Sequence, residues 1–244
     1  DNLQAKSTTN AMYGGGGNDT LTGNIGAEYL SGGTGNDILS GGGNADTLVG
    51  GTGNDVYYVD NVRDVVTETS PLANEFDIVN SSVSYVLSID VENLTLIGTS
   101  AINGTGNTIN NTLIGNAATN ILNGAAGADK LQGGLGNDIL IGGPGRDIFQ
   151  LTNASKDTIN DFSVIDDTIQ LENSVFVMLT TTGFLSTANF KVGAAAADAN
   201  DYIIYNSNTG ALLYDANGNG VGAVTQIGIL GANLALTHAD FVVI

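Results

Sequence analysis

The sequence predicts an all-β protein: a right-handed parallel β-roll (a β-solenoid) with a small, mainly antiparallel C-terminal capping region. Three columns of residues held in one nine-residue phase predict it. The stretch Gly32 to Ser40, GGTGNDILS, shows the unit: glycine at positions one, two and four, aspartate at six, a large apolar residue at eight. Stepping by nine, position six is Asp19, Glu28, Asp37, Asp46, Asp55 and Asp64. Position eight is Leu21, Leu30, Leu39, Leu48, Tyr57 and Val66, and position one is Gly14, Gly23, Gly32, Gly41 and Gly50. A second array keeps the rule with Asn111, Asn120, Asp129, Asp138 and Asp147 at six and Leu113, Leu122, Leu131, Leu140 and Phe149 at eight. A random Gly-rich sequence would not keep three columns in phase.

The unit follows from two demands on the backbone. Positions seven to nine form a short strand whose side chains alternate faces, so that position eight alone points inward. Positions one to six reverse the chain, and glycines supply positive φ and close backbone passage. Two units make one coil, so residues eighteen apart are one rung, about 4.8 Å, apart. Asp19, Asp37 and Asp55 then stack on one edge, and Glu28, Asp46 and Asp64 on the other. Two bare carboxylates about 5 Å apart repel by roughly 3 kcal/mol at an effective dielectric near 20, a large share of a net stability of about 5–15 kcal/mol. A hard cation between rungs turns that repulsion into binding. Carboxylates and turn carbonyls, with no thiol and one histidine in the chain, suit Ca²⁺ over zinc or copper. Without calcium, the same Gly/Asp-rich stretches read as disordered linker, although a linker has no need of the phased apolar column.

The totals agree. Of 244 residues, 42% are apolar and 35 are glycine, which allows a substantial core and argues against a helical protein. The formal charge of −19, with only 6 Lys and Arg, repels nucleic acid and anionic lipid and attracts cations. No run is long and apolar enough to span a membrane. The N-terminal DNLQAKSTTNAM has no signal-peptide apolar core, and a chain without cysteine gives no disulfide framework.

Along the chain, residues 1–13 are a lead-in without a clear pattern. Residues 14–64 form the first array, closing on VDNVRDVVT, a degenerate unit without glycines; Asn44 replaces the third glycine of the fourth unit and tolerates the left-handed region. Residues 65–105 are connecting coils, with a turn at Pro71 and Asn74 and strand-like alternation at Val79, Ser81, Val83 and Tyr85. They read as wider, irregular coils of the same solenoid, or alternatively as a small separate β subdomain. Residues 106–171 are the second array and its cap. Asn111 and Asn120 can hydrogen-bond without a metal, which places the metal-rich part around Asp129, Asp138 and Asp147. DTINDF and DDTIQL, with Asp157, Asp161, Asp166 and Asp167 out of phase, shield the last open edge. Residues 172–244 form the capping domain: a hairpin DYIIYN–SNTG–ALLYD, a turn ANGNG, a strand AVTQIGIL, and short helical turns capped by Ser186 and Thr237.

The G-G-x-G-x-D-x-U-x units, the cap and the tail resemble the C-terminal regions of RTX proteins exported by bacterial type I secretion. The resemblance covers nearly the whole chain after residue 13. It implies turn aspartates that bridge several Ca²⁺ ions, turn carbonyls that complete the coordination, and a roll that folds outside the cell. Matched residue by residue, the bridging positions are Asp19, Asp37, Asp46, Asp55, Asp129, Asp138 and Asp147, while Glu28, Asn111 and Asn120 depart from the pattern. With Asp64, Asp157 and the turn glycines, the candidate metal set adds Gly14, Gly15, Gly17, Gly32, Gly33, Gly35, Gly41, Gly42, Gly50, Gly51, Gly53, Gly124, Gly127, Gly133, Gly134, Gly136, Gly142, Gly143 and Gly145. Asp240-Phe241-Val242-Val243-Ile244 looks like the family's C-terminal export signal and reads equally as a last edge strand.

The resemblance implies a secreted or cell-surface, non-catalytic module. It would fold on extracellular calcium, support secretion of a larger protein and meet the type I secretion machinery transiently. A protease, lipase or alginate epimerase domain would lie upstream. The alternative is a surface-layer or adhesin component that binds other chains or glycans. There is no H-E-x-x-H and no G-x-S-x-G; a carboxylate-pair hydrolase is the remaining catalytic class, and His238 reads as a surface or cap residue. DANGNG (Asp215 to Gly220) matches the start of an EF-hand loop, but Gln226 stands where the bidentate glutamate belongs, which favours a tight turn.

Overall fold

The computed structural model of the chain describes residues 1–5, 10–69, 75–218, 222 and 224–244. The turn expected at Pro71 and Asn74 lies outside the described residues, as do Asn219 and Gly220 of the ANGNG turn.

Short strands, each too small to bury a face alone, are stacked into a parallel β-solenoid of about nine turns. Alternate strands form one long sheet in chain order: Asn2–Gln4, Thr20–Asn24, Ile38–Gly42, Val56–Val59, Ile78–Ser81, Asn93–Leu96, Thr112–Ile114, Lys130–Gln132, Ile148–Leu151 and Thr168–Leu171. Phe241–Val243 joins this sheet parallel to Thr168–Leu171, and Gly183–Phe184 pairs antiparallel outside it. The last strand of the chain is therefore paired on both sides, which corrects the alternative reading of residues 240–244 as an edge strand.

The facing strands form two sheets. The first holds Ala11–Gly16, Tyr29–Thr34, Thr47–Thr52 and Val65–Thr67. The second holds Tyr85–Val86, Gly104–Thr105, Ile121–Asn123, Ile139–Ile141 and Asp157–Ile159, all parallel. Val224–Ile229 continues it in parallel, and Ala211–Asp215 and Ile203–Asn206 follow antiparallel, with Phe190–Val192 outermost. The described strands between 65 and 105 belong to these sheets: Ile78–Ser81 pairs with Val56–Val59 on one side and Asn93–Leu96 on the other.

The position-eight column is the core. Register places Leu21, Leu39, Tyr57, Val79, Leu94, Leu113, Leu131, Phe149, Ile169 and Phe241 one above another. All are at most 1% exposed, so the apolar ladder is unbroken. Met12, Leu30, Leu48 and Val66, then Leu122, Leu140 and Ile159, face it. Gly104 stands in this second column beneath Leu122, where a Cβ would come 2.8 Å from Leu94 Cδ2. Residues before Gly14 are already in register: Leu3 pairs with Leu21 and Met12 with Leu30.

One expectation needs correction, the three-residue length of the strands. Of positions seven to nine, eight alone is buried, but Asp37 and Asp46 at position six and Gly32 and Gly41 at position one are buried as well. The strands of the first array run to five or six residues, as in Thr20–Asn24 and Tyr29–Thr34. The two-residue alternation therefore continues through the turn, and positions six, eight and one share the inner face.

The capping elements match their sequence signals. Ile203 pairs with Tyr214 and Asn206 with Ala211 in the hairpin. Ser186 and Thr237 each accept a backbone N–H, from Ala188 and Ala239, at the start of single 3₁₀ turns. Asp215 Oδ1 accepts the N–H groups of Asn217 and Gly218, both at 3.1 Å, and Gln226 lies inside the strand Val224–Ile229, so DANGNG opens a tight turn.

Truncating the buried ladder leaves a cavity with strands fixed on both sides. Leu131→Ala is expected to lower stability by about 2–5 kcal/mol, measured by denaturant unfolding in saturating calcium. The same change at the exposed Leu135 should cost little.

Candidate metal centre

Both edges of the solenoid carry a column of acidic side chains turned inward at position six. Each carboxylate caps the backbone of the rung before it. The N–H of Asp19 donates to Asp37 Oδ1 at 2.8 Å, that of Asp37 to Asp55 Oδ1 at 2.7 Å, and that of Asp55 to Asp77 Oδ1 at 2.8 Å. Asp77 donates in turn to Glu92 Oε2 at 2.8 Å. Farther along, Asn111 donates to Asp129 at 2.7 Å, and Asp129 to Asp147 and Asp147 to Asp167 at 2.9 Å each. On the other edge Glu28 donates to Asp46 at 2.7 Å and Asp46 to Asp64 at 3.0 Å; Asn120 donates to Asp138 at 2.8 Å and Asp138 to Asp157 at 3.0 Å.

The second oxygen of these groups is the distinctive feature. Oδ2 of Asp19, Asp37, Asp46, Asp55, Asp129, Asp138 and Asp147 is buried and has no hydrogen-bond partner among the described residues. Leaving a buried charged oxygen unpaired is costly. The first glycine of each unit makes the room: a Cβ would stand 2.1 Å from the Oδ2 at Gly32 and Gly41, 2.2 Å at Gly50, 2.3 Å at Gly124 and Gly142, 2.4 Å at Gly133 and 2.5 Å at Gly14. The other glycines let rungs stack. Gly33 and Gly51 have φ +115° and +119°, and a Cβ at either would lie 2.0 Å from the carbonyl oxygen of Gly15 or Gly33 on the preceding rung. Gly35 and Gly53 sit against Gly17 and Gly35 in the same way. Gly42, Gly134 and Gly143 sit against the carbonyls of Asn24, Asn116 and Ala125; Gly127, Gly136 and Gly145 against those of Ile109, Ala118 and Gly127. Asn44, in place of a glycine, takes φ 75°.

Burial drives the electrostatics. It pushes the carboxyls of Asp46, Asp55, Asp129, Asp138 and Asp147 up from 3.8 to about 6, with like charges on neighbouring rungs adding to the rise. Asp77 rises to about 7, and Asp37, Asp157 and Asp167 rise for the same reason. Among the described residues no Lys, Arg or His pairs with these columns; the α-amino group of Asp1 contacts Asp19. Buried, unpartnered carboxylate oxygens lined by glycine and stacked carbonyls form a hard, oxygen-only donor set, which fits Ca²⁺.

The remaining candidates differ. Both oxygens of Asp64 are engaged, Oδ1 by Asp46 and Oδ2 by the N–H groups of Asp60 and Asn61. Asp157 Oδ1 accepts from Asp138 and from Ser155 Oγ. Glu28 Oε2 accepts from Asn24 N–H at 3.3 Å. The amides of Asn111 and Asn120 are satisfied within the fold. Asn111 Nδ2 donates to Val91 O at 3.0 Å and its Oδ1 accepts from Asn107; Asn120 Nδ2 donates to Ile102 O at 2.5 Å and its Oδ1 accepts from Asn116. Asp77, Glu92 and Asp167 belong to the same columns and escaped the nine-residue count, because the rung steps there are 22, 15 and 20 residues. Their signal was the surviving acid-x-apolar triplet: Asp77-Ile78-Val79, Glu92-Asn93-Leu94 and Asp167-Thr168-Ile169.

Because these carboxyls titrate higher in the fold than in the unfolded chain, the metal-free fold is favoured while they are protonated and loses that contribution as they ionise. In chelator, stability is expected to fall as pH rises from 3.8 through about 6. In saturating calcium the trend should reverse, acid displacing the ion. Thermal melts across that pH range, with and without chelator, measure both slopes.

The profile of the RTX calcium-binding nonapeptide repeat matches four copies, at residues 1–27, 22–57, 105–140 and 114–149. Comparison with curated proteins finds no match. Among solved structures the chain is similar to the extracellular lipase LipA from Serratia marcescens, at 15% identity and a TM-score of 0.26 over 98% of this chain; it spans 40% of that protein's length. The phased columns, the inward carboxylates and the profile converge on one statement: this chain carries RTX calcium-binding nonapeptide repeats, wound as a parallel β-roll.

Proposed function

We propose that the chain is a calcium-dependent folding module of a secreted protein. The buried, unpartnered Oδ2 that recurs in seven position-six aspartates carries this reading. In the proposal Asp19, Asp37, Asp46, Asp55, Asp129, Asp138 and Asp147 are the anionic ligands, and carbonyls of the glycine turns complete the shell. Bound calcium supplies the positive charge that these stacked carboxylates lack. Asp64, Asp157 and Asp167 act chiefly as backbone caps.

The switch follows from mass action. Extracellular modules bind calcium with dissociation constants of roughly 10⁻⁴–10⁻³ M, far above cytosolic calcium. Inside the cell the carboxylate columns oppose coil stacking, and ordering the glycine turns costs conformational entropy. Outside, calcium binds the coiled state alone and stabilises it. A chain with this property passes a type I secretion channel unfolded and folds on arrival. The division into two calcium-ordered arrays, connecting coils and a C-terminal cap belongs to the same proposal. The cap supplies the antiparallel strands that hold order before the ion binds, and a catalytic domain of the parent protein would lie elsewhere in it.

Two outcomes test the reading. In chelator, residues 14–64 and the turns around Asp129, Asp138 and Asp147 should exchange amide hydrogens freely, and calcium should protect them and add β-structure by circular dichroism. Equal protection in both conditions would sink the folding switch. In calorimetric titrations Asp37→Ala should weaken calcium binding more than Asn111→Ala, whose amide already has its partners.

A further inference from the structure

The rung above Gly50 breaks the glycine column. The pairs Thr47–Val65, Leu48–Val66 and Val49–Thr67 bring Glu68 next in register over Gly50, where the repeat has its first glycine. The side chain does not escape to solvent; Glu68 is 8% exposed. Its Oε1 lies 2.7 Å from the point a Gly50 Cβ would occupy, and Asp55 Oδ2 lies 2.2 Å from that same point. One carboxylate oxygen from each of Asp55, Glu68 and Asp77 falls within 4.8 Å of the others, and all three residues are buried. Asp55 Oδ2, on a residue with no exposed surface, has no partner among the described residues and is aimed into this cluster. The Tyr57 hydroxyl donates to Glu68 Oε1.

We propose that Asp55, Glu68 and Asp77 form a three-carboxylate cation site at the end of the first array, in which the repeat ligand Asp55 is joined by two carboxylates that the nonapeptide repeat does not supply. It takes a hard cation of charge two or three, calcium or a lanthanide. Where position one is glycine it offers no side chain; here Glu68 meets Asp55 and Asp77, which lie on consecutive rungs. Three anionic ligands with no Lys, Arg or His paired to them among the described residues call for a cation more strongly than one aspartate facing carbonyls does. Burial, with the neighbouring carboxylates, pushes Glu68 up to about 8 and Asp77 up to about 7, as expected of acids short of a counter-ion. The site joins three separate stretches of chain, and so clamps the regular array to the irregular coils that follow.

The full chain titrated with calcium and with terbium tests this site. Calcium uptake should begin with a phase about tenfold tighter than the rest, because affinity rises with ligand charge. Glu68→Gln should remove that phase, whereas Asp138→Asn should weaken only the later uptake. Terbium emission excited through tyrosine should rise in the first phase, since the Tyr57 ring adjoins the site and the chain has no Trp. Tyr57→Phe keeps all three carboxylates; it should abolish the early emission while the tight calcium phase persists, which guards against a Glu68 variant that merely fails to fold. Unchanged stoichiometry and affinity in Glu68→Gln, or early emission that survives Tyr57→Phe, overturns this site and leaves the repeat sites standing. No calcium uptake by the wild-type chain overturns both.

Discussion

Everything in this fold depends on how a buried carboxylate divides its two oxygens. Oδ1 accepts the N–H of the residue one rung back, as Asp37 does for Asp19 and Asp138 for Asn120. That bond fixes the spacing and register of the coil edge, because it repeats through backbone atoms. In seven of these aspartates Oδ2 has no comparable partner among the described residues. In these seven aspartates the fold satisfies one oxygen, and in the proposed reading the other is left to an ion. An asparagine can close both halves internally, as Asn111 and Asn120 do, which removes the need for the ion but also its stabilising contribution. The second array is thus graded along its length by an aspartate-to-asparagine exchange on each edge.

The hydrophobic ladder and the polar edges tolerate irregularity differently. Between Asp55 and Asp77 the chain takes 22 residues to climb one rung, and between Asp77 and Glu92 only 15, yet Tyr57, Val79 and Leu94 stay in one buried column. Extra or missing residues are absorbed where the chain turns, while strand pairing and inward alternation persist. Stability then resembles a sum over neighbouring rungs, and no single turn has to be ideal.

Much of this was legible in the sequence because a repeat votes many times for the same geometry. The nine-residue phase located the core leucines and the edge aspartates, and Gly-to-Asn at Asn44 was readable as a left-handed turn. The same phase stepped backwards reaches Met12 and Leu3, which the lack of glycines there concealed. Counting failed wherever a turn changed length: Asp77, Glu92 and Asp167 continue the columns at other spacings, and only the acid-x-apolar triplet marked them. Glu68 was invisible for a different reason. A missing glycine reads as decay of the motif, and only the folded register shows that the replacing side chain turns inward beside Asp55.

The last strand has a kinetic consequence. Most rungs close over a separation of 18 residues, as from Asp19 to Asp37, so their contact order is low and each can form soon after its predecessor. Ile169 instead pairs with Phe241, which must return past the whole capping hairpin to reach it. Until that long loop closes, Thr168–Leu171 presents an unpaired strand edge, the kind of surface on which nascent chains join one another. The roll can zip rapidly from rung to rung, yet its growing end is sealed only by a far less local pairing.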